Sequence, residues 1–194
     1  MASSKENLSC ILAWAWIFNR NNDLKKSVKI FLFCFCCLAF IGCDRVTKDM
    51  AKEHLKNKEP ISYFNNTVRF EYAENTGAAL NLGDDLPKTV SLVLLSLLPL
   101  IILLLLFIYS IRNSGKINTL KLILLSMVFA GGIGNIIDRI FFDRHVPDFI
   151  IIGFKNLHTG IFNVADVCVT AGVIGLIFFY SNKFTLITLG RDRS

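Results

Sequence analysis

A mainly α-helical membrane protein, with four transmembrane helices and a small extracytoplasmic β-containing cradle, is the fold this sequence predicts, and three observations carry the prediction. Of 194 residues, 53% are hydrophobic and 19% are charged, which excludes a disordered chain or a low-complexity linker and requires a packed or lipid-embedded body. Uncharged apolar runs occupy residues 30–43, 89–111, 122–137 and 167–182. The basic residues, finally, collect on one side of those runs.

That asymmetry sets the topology, because Lys and Arg flanking spans are held on the cytoplasmic side. Residues 1–29 carry Lys5, Arg20, Lys25, Lys26 and Lys29 against Glu6 and Asp23; Arg112, Lys116 and Lys121 lie between the second and third runs; Lys183, Arg191 and Arg193 oppose Asp192 in the tail. Segments 44–88 and 138–155 are close to neutral. Both termini are therefore expected in the cytoplasm. The formal charge of +6 reflects a cytoplasmic membrane face and not a nucleic-acid footprint.

The first 24 residues read as a cytoplasmic or interfacial extension. Its patch Leu8–Phe18, with Trp14 and Trp16, is too short to cross and suits the headgroup level. The first run, ending Phe40-Ile41-Gly42-Cys43, also has the outline of a lipoprotein signal with a lipid-accepting cysteine, but three later spans favour a helical anchor. A span needs about 20 mostly apolar residues. The second run alone meets that; the others reach it only by including Asp44 and Lys48, Asp138 and Arg139, or Asp166. An ionised group at membrane depth costs roughly 2.5–3.5 kcal/mol on insertion scales, so such residues are functional candidates. With the topology above, Asp44, Asp138, Arg139 and Asp166 share one outer layer.

Between the first and second spans, Val68, Phe70 and Tyr72 alternate with Arg69 and Glu71 as in a half-buried strand, and Asn75-Thr76-Gly77 supplies turn chemistry before Ala78 and Ala79. An ordinary exposed hairpin is one reading; placement over the polar layer makes it a lid or cradle, about residues 56–86. In the third span Gly131, Asn135, Asp138 and Arg139 share a face at intervals of three and four. That face is either a packing seam with an Asp138–Arg139 pair or part of a site. Asn163, Asp166 and Thr170 repeat the pattern in the fourth span. Asp148 falls between them in Val146-Pro147-Asp148-Phe149-Ile150, a loop segment expected to rest against the membrane surface. Cys34, Cys36 and Cys37 sit inside the first run as small apolar residues, and His54, His145 and His158 have no metal-ligand spacing.

Five ordered motifs, Asp44–Lys48 (DRVTK), Asn75–Leu80 (NTGAAL), Gly132–Arg139 (GIGNIIDR), Val146–Ile150 (VPDFI) and Phe162–Asp166 (FNVAD), resemble those of bacterial lipoprotein signal peptidase, signal peptidase II. The resemblance covers about residues 25–182, leaving 1–24 and the cytoplasmic tail 183–194 outside. It implies an intramembrane aspartic endopeptidase of the bacterial inner membrane that cuts a prolipoprotein just before its diacylglyceryl-modified cysteine. It implies Asp148 and Asp166 as catalytic residues, and Asp44, Lys48, Asn75, Gly77, Asn135, Asp138, Arg139 and Asn163 as substrate-binding or supporting residues, Asp138 being structural. No metal or organic cofactor is implied; the partners are lipidated precursors and membrane phospholipid, with no nucleic acid, and a monomer suffices. Arg45, Leu80 and Pro147 depart from the family pattern and bear on substrate fit and lid packing. Two other readings of the polar layer remain: a small ion-coupled transporter, and an inactive relative that only binds lipoproteins.

Overall fold

A computed structural model describes the backbone of residues 2–77, 86–154 and 157–191, and the side chains of residues 25–77, 86–154 and 157–180. Ala78 to Leu80 and residues 192–194 lie outside the described residues, and the Trp14 and Trp16 side chains and those of residues 183–191 lie outside the described side chains.

Helix α1 (Ala2–Leu55) runs without a break through Cys43 and carries the first polar motif in its C-terminal third. The second span, Lys88–Asn113, is one continuous helix made of α2 (Lys88–Leu92), a π-helical turn (Val93–Leu97) and α3 (Leu98–Asn113). Pro99 explains the π turn: its ring has no N–H and would clash with the carbonyl four residues back, Leu95, which the widened turn displaces. Helix α4 (Thr119–Phe141) starts at Asn118, whose side chain accepts the Leu120 N–H at 2.8 Å, a helix N-cap. Helix α5 (Val164–Arg191) completes four long helices, the expected number. Lys25–Leu55, Lys88–Asn113 and Thr119–Phe141 are long and apolar enough to cross a bilayer, whereas the apolar part of α5 within the described residues, Val164–Tyr180, is shorter.

Away from the polar layer the helices pack on Phe33, Cys37, Ile117, Leu122 and Leu125. Phe33, Phe107 and Phe129 close that core, the last two with ring centroids 5.0 Å apart. Cys37 is one of its buried packing residues, in keeping with an apolar role for the thiols. Phe31, Leu38, Leu105 and Phe178 point outward and are more than half exposed, as lipid-facing side chains are. Helix α4 meets its neighbours at glycine: a Cβ on Gly131 would stand 2.4 Å from the Ala165 carbonyl oxygen of α5, and one on Gly134 2.7 Å from Asp44 Oδ2 of α1.

Strands β1 (Ile61–Tyr63), β2 (Val68–Asn75), β3 (Val146–Phe154) and β4 (Leu157–His158) form one antiparallel sheet in that order. The alternation at residues 68–72 is thus a strand, as expected. The Asp148 segment is also a strand and not a loop, which is a correction to the sequence reading. An apolar run such as Phe149–Ile152 has no period of its own, so only its pairing with β2 reveals it. Phe70 faces Ile150 and Ala73 faces Asp148, so β2 spends one extra residue there, a bulge immediately beside Asp148.

Candidate active site

The first turn of α5 organises the polar layer. Asn163 caps the helix: its Oδ1 accepts the Asp166 N–H at 3.0 Å, and Asp166 Oδ2 accepts the Asn163 N–H at 3.1 Å, a reciprocal capping box. Asp44 of α1 takes a third free donor of that turn, the Ala165 N–H, at 2.9 Å. Asp166 Oδ1 accepts Asn135 Nδ2 of α4 at 2.8 Å. The intervals seen in the sequence therefore mark a cap that faces inward.

Asp148 approaches from β3. Asn163 Nδ2 donates to its Oδ1 at 2.6 Å and Asn75 Nδ2 to its Oδ2 at 3.0 Å. Asn163 is thereby bonded to both carboxylates, and it also donates to Asn135 Oδ1 at 3.2 Å. Burial pushes the Asp148 carboxyl up to about 6, with the nearby Asp166 charge adding to the rise; the hydrogen bonds from Asn75 and Asn163 and the charge of Lys48 oppose it. Asp148 and Asp166 line one cavity of about 690 Å³ with Asn75, Asn135 and Arg139. From there the cavity continues down α5 past Val167, Ala171 and Ile174, so its lower wall is apolar.

Asn75 is fixed by a turn of its own making, its Oδ1 accepting the Gly77 N–H at 2.9 Å. Arg139 donates through Nη2 to the Gly77 carbonyl at 2.8 Å. Asp138 turns the other way. It accepts Lys48 Nζ at 2.7 Å and Arg45 Nη2 at 2.6 Å, so it pairs with α1 and not with Arg139, its neighbour in sequence. Lys48 is fully buried and also donates to Asp44 Oδ2 at 2.7 Å and to Asn135 Oδ1 at 3.0 Å. The cluster of Asp44, Lys48, Asp138 and Arg45 has two charges of each sign and reaches Asp166 through Asn135.

Every site residue expected from the sequence falls within this one assembly. Three participants were not expected. Arg45 was read only as a departure, although three residues before Lys48 it shares that helix face. Arg144 donates through Nη2 to the Thr76 carbonyl at 2.9 Å and follows the end of α4, where no periodicity marks it. The Ala165 donor is backbone, which side-chain patterns do not show.

Comparisons with known proteins point to one family. The family model described as Signal peptidase (SPase) II matches residues 36–182. The lipoprotein signal peptidase of Clostridium tetani is 42% identical over 137 residues, 70% of this chain and 83% of that protein. The lipoprotein signal peptidase of Chlorobium phaeobacteroides is 37% identical over 152 residues, 74% of this chain and 86% of that protein. A bacterial membrane enzyme solved by the in meso method at 2.3 Å resolution superposes with a TM-score of 0.68 at 25% identity, covering 79% of this chain and 89% of the other. A fold of long helices with a small sheet, a matched stretch spanning every motif, and relatives above 30% identity lead to one conclusion: the chain belongs to the signal peptidase II family of aspartic-type peptidases.

Proposed function

We propose that Asp148 and Asp166 are the catalytic pair with which this peptidase removes the signal peptide from lipidated prolipoproteins. Removal of signal peptides from prolipoproteins is the function of the family to which the chain belongs. The observation that carries the residue assignment is Asn163, whose side-chain amide donates to Asp148 Oδ1 and whose backbone N–H donates to Asp166 Oδ2, the two carboxylates lining one cavity. In this reading the two carboxylates share one proton, the Asp166 charge opposing ionisation of Asp148. One then acts as general base on a water while the other protonates the carbonyl oxygen of the scissile bond. The raised carboxyl of Asp148 suits it to hold the shared proton.

The remaining residues divide into two roles. Asn75, Asn135 and Asn163 orient the carboxylates, and Arg139 with Gly77 frames the mouth where the substrate chain passes. Asp44, Lys48 and Asp138, with Arg45 as the second cation, form a neutralised support behind Asn135. The apolar wall along α5 suits acyl chains that stay in the leaflet while the bond before the lipidated cysteine is cut. That depth, with the basic residues at the opposite end, supports a bacterial inner-membrane protein with both termini in the cytoplasm and the sheet outside. Residues 25–182 form the peptidase unit, between the 1–24 extension and the 183–194 tail, and it acts as a monomer.

The test is cleavage of a diacylglyceryl-modified precursor by purified protein in detergent, with the new N-terminus read by mass spectrometry. Asp148→Asn and Asp166→Asn are each expected to abolish cleavage while the protein still inserts, and an unlipidated precursor is expected to remain uncut. Processing retained by either variant overturns the pair.

A further inference from the structure

Asn75 acts on Asp148 through a single amide, and its orientation is held from a place outside the matched motifs. The turn Asn75-Thr76-Gly77 presents two successive carbonyls to the end of α4. Arg139 Nη2 donates to the Gly77 carbonyl at 2.8 Å and Arg144 Nη2 to the Thr76 carbonyl at 2.9 Å. One clamp fixes a position; two on adjacent carbonyls fix the tilt of the peptide plane between them, and with it the side chain of Asn75.

Arg144 reaches that carbonyl by an unusual backbone path. Beyond the C-terminus of α4, Asp143 and Arg144 have φ of 50° and 72°, the left-handed region that side chains other than glycine rarely adopt. The path is pinned by the Arg144 N–H on the Arg139 carbonyl at 3.1 Å and the His145 N–H on the Phe142 carbonyl at 2.9 Å. The next residue, Val146, starts β3 and pairs with Asn75 in register. Arg144 thus ties the start of the strand that carries Asp148 to the end of the strand that carries its partner.

We propose that Arg144 is a positioning residue for the peptidase reaction: by holding the Thr76 carbonyl it keeps Asn75 Nδ2 on Asp148 Oδ2. The inference rests on the reading of Asp148 and Asp166 as the catalytic pair. Asn75 donates to the carboxylate, favouring its charged form, so loosening that bond moves loss of the shared proton to higher pH. The charges facing Asp148 from the packed helices, Lys48 of α1, Arg139 of α4 and Asp166 of α5, are unchanged throughout the test.

The experiment is the pH profile of kcat/KM for the full-length protein in detergent on a lipidated precursor peptide. Asn75→Ala is expected to raise the alkaline midpoint by about one pH unit, the worth of a hydrogen bond to a charged group. Arg144→Gln is expected to raise it in the same direction by less, and Arg144→Lys, which keeps a charged donor, to restore it. In an Asn75→Ala background the Arg144→Gln shift is expected to vanish. If Asn75→Ala moves the midpoint and Arg144→Gln does not, or moves it equally in both backgrounds, the positioning role is refuted and the arginine acts, if at all, by charge through space. If Asn75→Ala itself leaves the profile unmoved, the assignment of Asp148 as the titrating carboxyl fails instead. Should the glutamine variant not accumulate, Arg144→Met, which also lacks the donors, takes its place with the same expectations.

Discussion

Replacing Lys48 by methionine tests whether the buried cluster supports the site. The side chain is wholly buried, and its ammonium donates to Asp44 Oδ2 and Asp138 Oδ2, each at 2.7 Å, and to Asn135 Oδ1 at 3.0 Å. Methionine keeps the unbranched stem and deletes the charge and all three donors. Asp138 then retains Arg45 and Asp44 retains the Ala165 N–H, leaving two buried carboxylates balanced by one partly exposed cation. Removing one partner of a buried ion pair costs about 3–5 kcal/mol, because the other charge stays buried uncompensated. Denaturant unfolding in detergent micelles measures that loss. The double variant Lys48→Met with Asp44→Asn removes one of the stranded charges and is expected to recover at least about 1 kcal/mol of it. A single variant within about 0.5 kcal/mol of the parent, or a double variant less stable than the single one, refutes the idea that charge compensation holds this layer together.

Four further expectations concern the site and the packing beneath it. The kcat/KM profile should fall on its alkaline side around the Asp148 value of about 6: burial raises that carboxyl, so its proton, present below this pH, is lost above it, and the working form goes with it. Asn163→Ala removes the N-cap oxygen and the amide held on Asp148 while its backbone N–H stays on Asp166, so it should lower kcat about a hundredfold, within the loss a misplaced reacting group causes, and also cost about 1 kcal/mol of stability; unaltered turnover would show that the amide on Asp148 is idle. Gly131→Ala places a Cβ 2.4 Å from the Ala165 carbonyl oxygen, which cannot rotate away, so α4 and α5 must part at a cost of about 1–3 kcal/mol, seen as a lower unfolding midpoint. Arg45→Lys keeps a charge opposite Asp138 and should stay closer to the parent in stability than Arg45→Leu, in the same unfolding assay.

Much of this was legible because membrane burial makes polar residues conspicuous. Asp44, Asp138 and Asp166 stand out against apolar runs, and charge asymmetry puts them at one depth, so their convergence followed before any contact was known. The intervals from Asn163 to Asp166 and from Gly131 to Asn135 read correctly as shared faces, which the capping box and the glycine contact explain. Pairing was harder. Asp138 and Arg139 are adjacent in sequence but about 100° apart around a helix, so one turns to Lys48 and the other to Gly77. The strand at Val146–Phe154 was illegible for a different reason: its identity depends on β2, more than 70 residues earlier, and the run itself has no alternation.

The site is built where a helix begins, and this has a consequence for how it can fail. Asn163, Ala165 and Asp166 occupy the cap and first turn of α5, and each reaches a different element: Asn163 to β3, Ala165 to α1 and Asp166 to α4. The N–H groups of that turn would be costly to leave unpaired near hydrocarbon, so the bonds that satisfy them serve stability whether or not substrate is present. One of these bonds, from the Asn163 N–H to Asp166 Oδ2, also sets where that carboxylate points, and the amide of the capping Asn163 aims Asp148. With Asp148 and Asp166 as the proposed pair, folding and catalysis draw on one cap, and a variant that loosens it is expected to lose both. Asp148→Asn differs in that it leaves the cap intact, so it should separate the two, silencing the reaction while the α5 turn stays whole.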